Sequence, residues 1–240
     1  MSCEKYPSSV GRYNYMVTAY AKIAVDNYCK AKARMEKIVE QEWYEIIADV
    51  RSIEKLEESV IITVIFAAMS IEAFLNDYAA ACLGDNDFYD NFDKLSVENK
   101  FNLISKFILK VQIDKSKSYY YYLKGLFKKR NEFVHSKSID ANKYALTKEE
   151  LDDLLKEKER VGEDFYKENA EDLIKECNDL LECSKNAIKA MLEISLFFDK
   201  YDEVVKAERK MFFFTVDILS EEASEYQDFV KEFRLLRGEK

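Results

Sequence analysis

The sequence predicts an all-α bundle of about six helices, several of them long, arranged up and down. Three observations predict it. Five glycines and one proline (Pro7, at the N-terminus) are very few for 240 residues, and strands and tight turns need that punctuation whereas long helices do not. Charged residues make up 35% and are interspersed among 48% apolar ones, as amphipathic helices in a bundle require. Sixteen Tyr and sixteen Phe supply buriable surface that a solvated chain lacks. A chain of this length can bury its core as a single domain, 1–240.

Each element follows from periodicity and caps. Tyr13 to about Val50 reads as a first long helix, with Tyr20, Ile23, Ala24 and Ala31 at three- and four-residue steps. A second runs from about Glu54 to Leu83, where Gly84 and an acidic loop, Asp85–Asp90, stop it. Its middle, Val60 to Met69, is apolar all round, which places it at the centre of the bundle. Ser96 can cap a third helix through Lys110. A fourth covers about Lys117 to Ser136, followed by a polar loop to Ala145. Thr147 and Glu150 then form a capping box that opens a helix from Lys148 towards Lys200, bent near Gly162. A last helix spans about Glu203 to Arg237, with Phe212–Phe214 in its core or at an interface.

The net charge of −9 argues against a general nucleic-acid coat protein, but its distribution is uneven. Residues 101–140 carry nine bases against three acids, and residues 141–182 carry 14 acids against seven bases. A basic stripe on an acidic body can engage a polyanion without binding indiscriminately. The five cysteines include no Cys-x-x-Cys pair and accompany a single histidine, so neither a zinc site nor a disulfide framework is indicated. No apolar signal region opens the chain. The longest uncharged run, Ser59 to Ile71, is far below the ~20 residues that span a bilayer. A cytoplasmic protein without membrane, metal or cofactor is expected.

The sole histidine, His135, closes the run Arg130-Asn131-Glu132-Phe133-Val134-His135. On a wheel at ~100° per residue, Tyr119, Leu123, Leu126, Phe127 and Val134 gather on one side, and Arg130 falls in the middle of that arc. A cation there is costly unless it is paired or faces a partner across a cleft. Asn131 and His135 lie together on one flank, and Lys128 and Lys124 extend that flank backwards. The result is a basic ridge with an imidazole at its end. Such a pair of groups can hold a phosphate and move a proton beside it. The plainer account is structural: Arg130 pairs with a buried carboxylate and His135 caps the helix C-terminus.

Arg-Asn-x-x-x-His late in a helix of an all-helical domain resembles the HEPN superfamily (higher eukaryotes and prokaryotes nucleotide-binding). A second likeness is the stretch Ala68-Met69-Ser70-Ile71-Glu72-Ala73-Phe74-Leu75-Asn76, similar to a Glu-Ala-Phe-Leu-Asn helix of several prokaryotic members. The resemblance covers a core of about 55–200, with flanking helices on either side. It implies a metal-independent endoribonuclease, with the motifs of two subunits meeting in one cleft, in a toxin or antiviral-defence role. It further implies that Arg130 binds the scissile phosphate, that His135 transfers protons, and that Asn131 orients the pair or contacts the phosphate. Lys124, Lys128, Lys129 and Lys137 would bind the RNA. An antitoxin or other regulatory protein is the implied partner beside the second subunit. Toxins silenced by a nucleotidyltransferase often carry Tyr three residues after the His; Ser138 stands there, a departure from that pattern.

Other constellations are weaker. Glu132 and His135 form one Glu-x-x-His, whereas a di-iron bundle needs two. Glu72 and Asn76, one turn apart, are expected either to support Arg130 or His135, or to fix helix register as a buried polar pair. In the run Tyr119–Tyr122, Tyr119 and Tyr122 are expected in the core, and Tyr120 and Tyr121 remain candidates for stacking on bases. Two further readings stay open: a HEPN-like module that binds RNA or nucleotide without cutting it, and a helical protein-interaction module whose motif is structural.

Overall fold

A computed structural model of the chain describes residues 15–135 and 163–201. These form seven α-helices and one π-helical turn, with no strand among the described residues. The helices are α1 (Tyr15–Val39), α2 (Trp43–Ala48), α3 (Val50–Leu83), α4 (Asp85–Asn91), α5 (Val97–Leu103), α6 (Ser118–Val134) and α7 (Glu163–Tyr201). The described residues form the expected all-helical bundle. The loop at Lys137–Ala145, the capping box at Thr147, the bend at Gly162, and the helix over 203–237 with Phe212–Phe214 lie outside the described residues.

The central helix is α3, about 51 Å long at 1.5 Å per residue. Val60, Val64, Ala67, Ala68, Ile71, Leu75 and Ala79 are buried along its length. By length and composition α3 could cross a membrane; here α1 packs along it, and α7 packs against α3, α1, α2 and α6. Small residues let α1 and α3 approach closely: Ala21 and Ala24 share one cluster with Ala67 and Ala68. Polar side chains then fix the register. The Ser70 hydroxyl donates to the Val17 carbonyl at 2.8 Å, and Thr63 Oγ1 reaches the Ala24 carbonyl at 3.3 Å. Arg34 donates to the Lys55 carbonyl at 2.8 Å and to the Ser59 hydroxyl. Buried hydroxyls with partners this specific discriminate against a slipped helix pair.

Three boundaries differ from the sequence reading. The first helix breaks after Val39, and α2 restarts behind a Glu42/Glu45 capping box in which the Glu42 amide donates to Glu45 Oε2 at 3.1 Å. The acidic stretch after Gly84 is the helix α4 rather than a loop, with Phe88 buried beneath it; acids at a helix N-terminus suit its dipole. Gly84 itself, at φ 88°, makes the turn between α3 and α4. Ser96 caps α5 as expected, accepting from the Asn99 amide at 3.3 Å. That helix then passes into a π-turn, Ile104–Ile108, and ends there, short of the expected end at Lys110, which adopts φ 60°.

A cluster of rings anchors α6. Phe197 and Phe198 on α7 meet Phe74 and Tyr78 on α3, Phe101 on α5 and Tyr119 on α6, with centroids 4.8–4.9 Å apart in the closest pairs. Edge-on and tilted pairs of this kind add to simple burial. Two further bonds pin the first turns of α6: Ser118 Oγ donates to Glu193 Oε2 at 2.8 Å, and the Tyr120 hydroxyl donates to Glu98 Oε2 at 3.2 Å.

Candidate nucleic-acid interface

Helix α6 carries the Arg130–His135 run in its last turns. Leu123 and Leu126 bury its inner face, which fixes the helix rotation and so decides what solvent sees. Lys124, Lys128, Asn131 and His135 are all exposed and form the flank expected from the wheel. Lys117 stands at the N-cap, and His135 is the C-cap residue.

Arg130 is half-buried, and its backbone position lies ~140° around the helix from His135 at ~100° per residue. The Arg130 side chain reaches across to the neighbouring Asn131 side chain. Arg130 Nη1 donates to Asn131 Oδ1 at 3.0 Å, and the Asn131 carbonyl accepts from the His135 amide at 2.9 Å. The Asn131 side chain therefore holds the guanidinium on the ridge flank, and its backbone carbonyl makes the ordinary helical bond to the turn that carries the imidazole. No carboxylate pairs with Arg130 among the described residues, so its charge is available to an anion.

The remaining candidates are placed differently. Lys129 lies on the opposite flank, 3.0 Å from Glu132 Oε2 and over the Phe133 ring at 5.2 Å. The pairing raises the affinity of Lys129 for its proton and holds the Glu132 carboxyl below the usual carboxylate range. Glu132 is thus engaged by a lysine, and among the described residues no group of three His, Cys, Asp or Glu forms a metal cluster. Lys137 falls outside the described residues.

Glu72 pairs with Lys100 rather than with Arg130 or His135, at 3.8 Å from Nζ. Lys100 is 1% exposed, a burial that sequence reasoning misses. A lysine within an amphipathic pattern carries no signal of burial; only the α3–α5 packing encloses it. Asn76 Oδ1 is buried and has no hydrogen-bond partner among the described residues.

The tyrosine run also differs in part. Tyr119 and Tyr122 pack against the core cluster as expected. Tyr120 is buried, with burial pushing its hydroxyl pKa up and Glu98 adding to the rise. It is therefore no stacking platform. Tyr121 is 71% exposed, the most exposed large hydrophobic side chain among the described residues. On its far side α6 faces α7 across a groove of about 310 Å³ floored by Val64 and Leu126.

No family model matches this chain, and neither does any curated protein or solved structure.

Proposed function

We propose that the exposed flank of α6 is an RNA-cleaving site, working by transesterification at the ribose 2′-OH without a metal ion. The observation that carries the reading is the arrangement at its end: a guanidinium with no acidic partner among the described residues, held by Asn131 on the same flank as an exposed imidazole one turn further on. Lys124 and Lys128 continue the positive path along the helix, and cations in a row track a phosphate backbone.

The chemistry needs few parts. A base takes the 2′-OH proton, the 2′-oxygen attacks phosphorus, and the bond from phosphorus to the 5′-oxygen breaks as that oxygen gains a proton. The products are a 2′,3′-cyclic phosphate and a 5′-hydroxyl. Arg130 neutralises the charge that gathers on the phosphoryl oxygens, and His135 transfers the protons. One imidazole per chain supplies one of the two proton-transfer groups. A homodimer with the two α6 ends facing across a twofold axis supplies the second and pairs the arginines around one phosphate. The resemblance to HEPN domains favours that assembly and a toxin or defence role.

Purified protein incubated with RNA in EDTA tests the reading. Wild type is expected to cut, while Arg130→Ala and His135→Ala each abolish cutting with unfolding midpoints close to wild type, because both side chains lie outside the closed core. RNA bound but never cut by wild type would establish a binding module instead. Loss of folding in both variants, with neither activity in wild type, would make the motif structural.

A further inference from the structure

The groove between α6 and α7 has chemistry that a phosphate path does not explain. We propose that it is a nucleobase-recognition subsite that selects guanine in the RNA strand lying on the ridge. The proposal rests on reading that ridge as an RNA path.

Size comes first. At about 310 Å³ the groove lies at the small end of ligand sites, with room for one base rather than a nucleotide run. Its α6 wall offers Tyr121 and Tyr122, whose rings meet nearly edge-on with centroids 5.3 Å apart. Tyr121 stands between ridge and groove, since its wheel position falls between Lys128 and Gly125 at ~100° per residue. A strand on the ridge can therefore turn one base inwards over an exposed ring, and stacking on tyrosine accepts any base.

Selectivity comes from the opposite wall. Asp179 and Glu182 lie three residues apart on α7 and line the groove, so they share a face. Both are exposed, and neither forms an ion pair with a described residue. A carboxylate repels phosphate but accepts from base edges. Guanine presents two adjacent donors, N1–H and the N2 amino group, which match the two oxygens of one carboxylate. Adenine and cytosine present an amino donor beside an acceptor, and uracil one N–H between two carbonyls, so none of these forms the two-pronged pair.

A basic peptide side chain would also suit two carboxylates and a ring. A cation speaks against it: Lys189 Nζ sits 5.8 Å from the Tyr122 ring centroid. It repels a second cation and attracts the phosphates flanking a bound base, while Lys129, which lines the groove, is already paired with Glu132. Gly125 borders open space at the groove, since a Cβ there would meet nothing within 4 Å, and only a large side chain would fill it.

Calorimetric titration of the full chain with GMP, AMP, CMP and UMP tests the subsite. GMP is expected to bind at least about tenfold tighter than the other three, as a good bidentate contact discriminates. The double change Asp179→Asn and Glu182→Gln should erase the preference, and Gly125→Phe should block binding while the far-ultraviolet circular dichroism stays unchanged. Equal binding of the four nucleotides, or of none, overturns the proposal, as does an arginine-containing peptide binding where GMP does not. Mapping cut sites on RNA separates the two claims. Cutting without a guanine near the cut discards the subsite and leaves the nuclease standing; GMP selectivity with no cutting does the reverse.

Discussion

The Arg130 guanidinium donates to the side chain of Asn131 at 3.0 Å, and this one bond converts a residue in the apolar arc of α6 into part of its exposed ridge. Asn131 is exposed, so its amide contributes orientation rather than core packing. Asn131→Ala is expected to lower the cleavage rate roughly tenfold to a hundredfold, the equivalent of a charge-assisted hydrogen bond of about 1.5–3 kcal/mol. Thermal unfolding should be nearly unchanged. A rate equal to wild type would show that Arg130 needs no positioning.

Lys124 and Lys128 are exposed on the ridge and form no ion pair with a described acid. Replacing either with Ala should weaken RNA binding for all sequences alike. The slope of log affinity against log salt should become shallower by about 0.7 for each phosphate of a single strand that the variant leaves unneutralised. Lys129, tied to Glu132 on the other flank, should change that slope less.

The Glu72–Lys100 pair makes a stability prediction with unequal outcomes for its two members. Lys100 has a side chain only 2% exposed, whereas that of Glu72 is 38% exposed. Glu72→Ala strands a buried ammonium and should cost about 2 kcal/mol, below the roughly 3–5 kcal/mol of a wholly buried pair. Lys100→Met removes the buried charge and leaves a carboxylate that water can reach. It should change stability by less than about 1 kcal/mol. Urea denaturation of both variants checks the asymmetry.

Cys183 lines the α6–α7 groove, and burial pushes its thiol up against the opposing field of Lys129. A raised thiol pKa leaves less thiolate at a given pH. Alkylation of Cys183 by iodoacetamide should therefore be slower than that of a free cysteine at about pH 8, and should accelerate only as pH climbs above the ordinary thiol range of about 8.5. Mass spectrometry of the Cys183 peptide reads the rate, and protection by GMP would place the nucleotide in the groove.

Much of this architecture is legible in the residues. The uninterrupted apolar run of Val60 to Met69 marks the central helix, Gly84 its end, and Ser96 the start of α5. The ridge from Lys124 to His135 is legible too, because four residues at helical spacing share a flank whatever packs behind them. What depends on neighbours is not legible. A wheel assigns Arg130 and His135 to faces ~140° apart but cannot show a long side chain swinging back to Asn131. It likewise leaves Tyr120 at the margin of the arc, where Glu98 from another helix draws it inside. Lys100 is enclosed by α3, and the groove exists only because α7 passes α6 at that distance. The break after Val39 carries no glycine or proline, so only the local Glu42–Glu45 box betrays it.

The most direct test of the central claim is the chemistry at the cut. A 5′-labelled RNA with one scissile site, and its counterpart bearing a 2′-deoxyribose at that site, are incubated with the protein in EDTA. Cleavage of the first to a 2′,3′-cyclic phosphate and a 5′-hydroxyl, with the second left intact and His135→Ala inert on both, is the predicted result. Cleavage of the deoxy substrate, or full activity in His135→Ala, would contradict it.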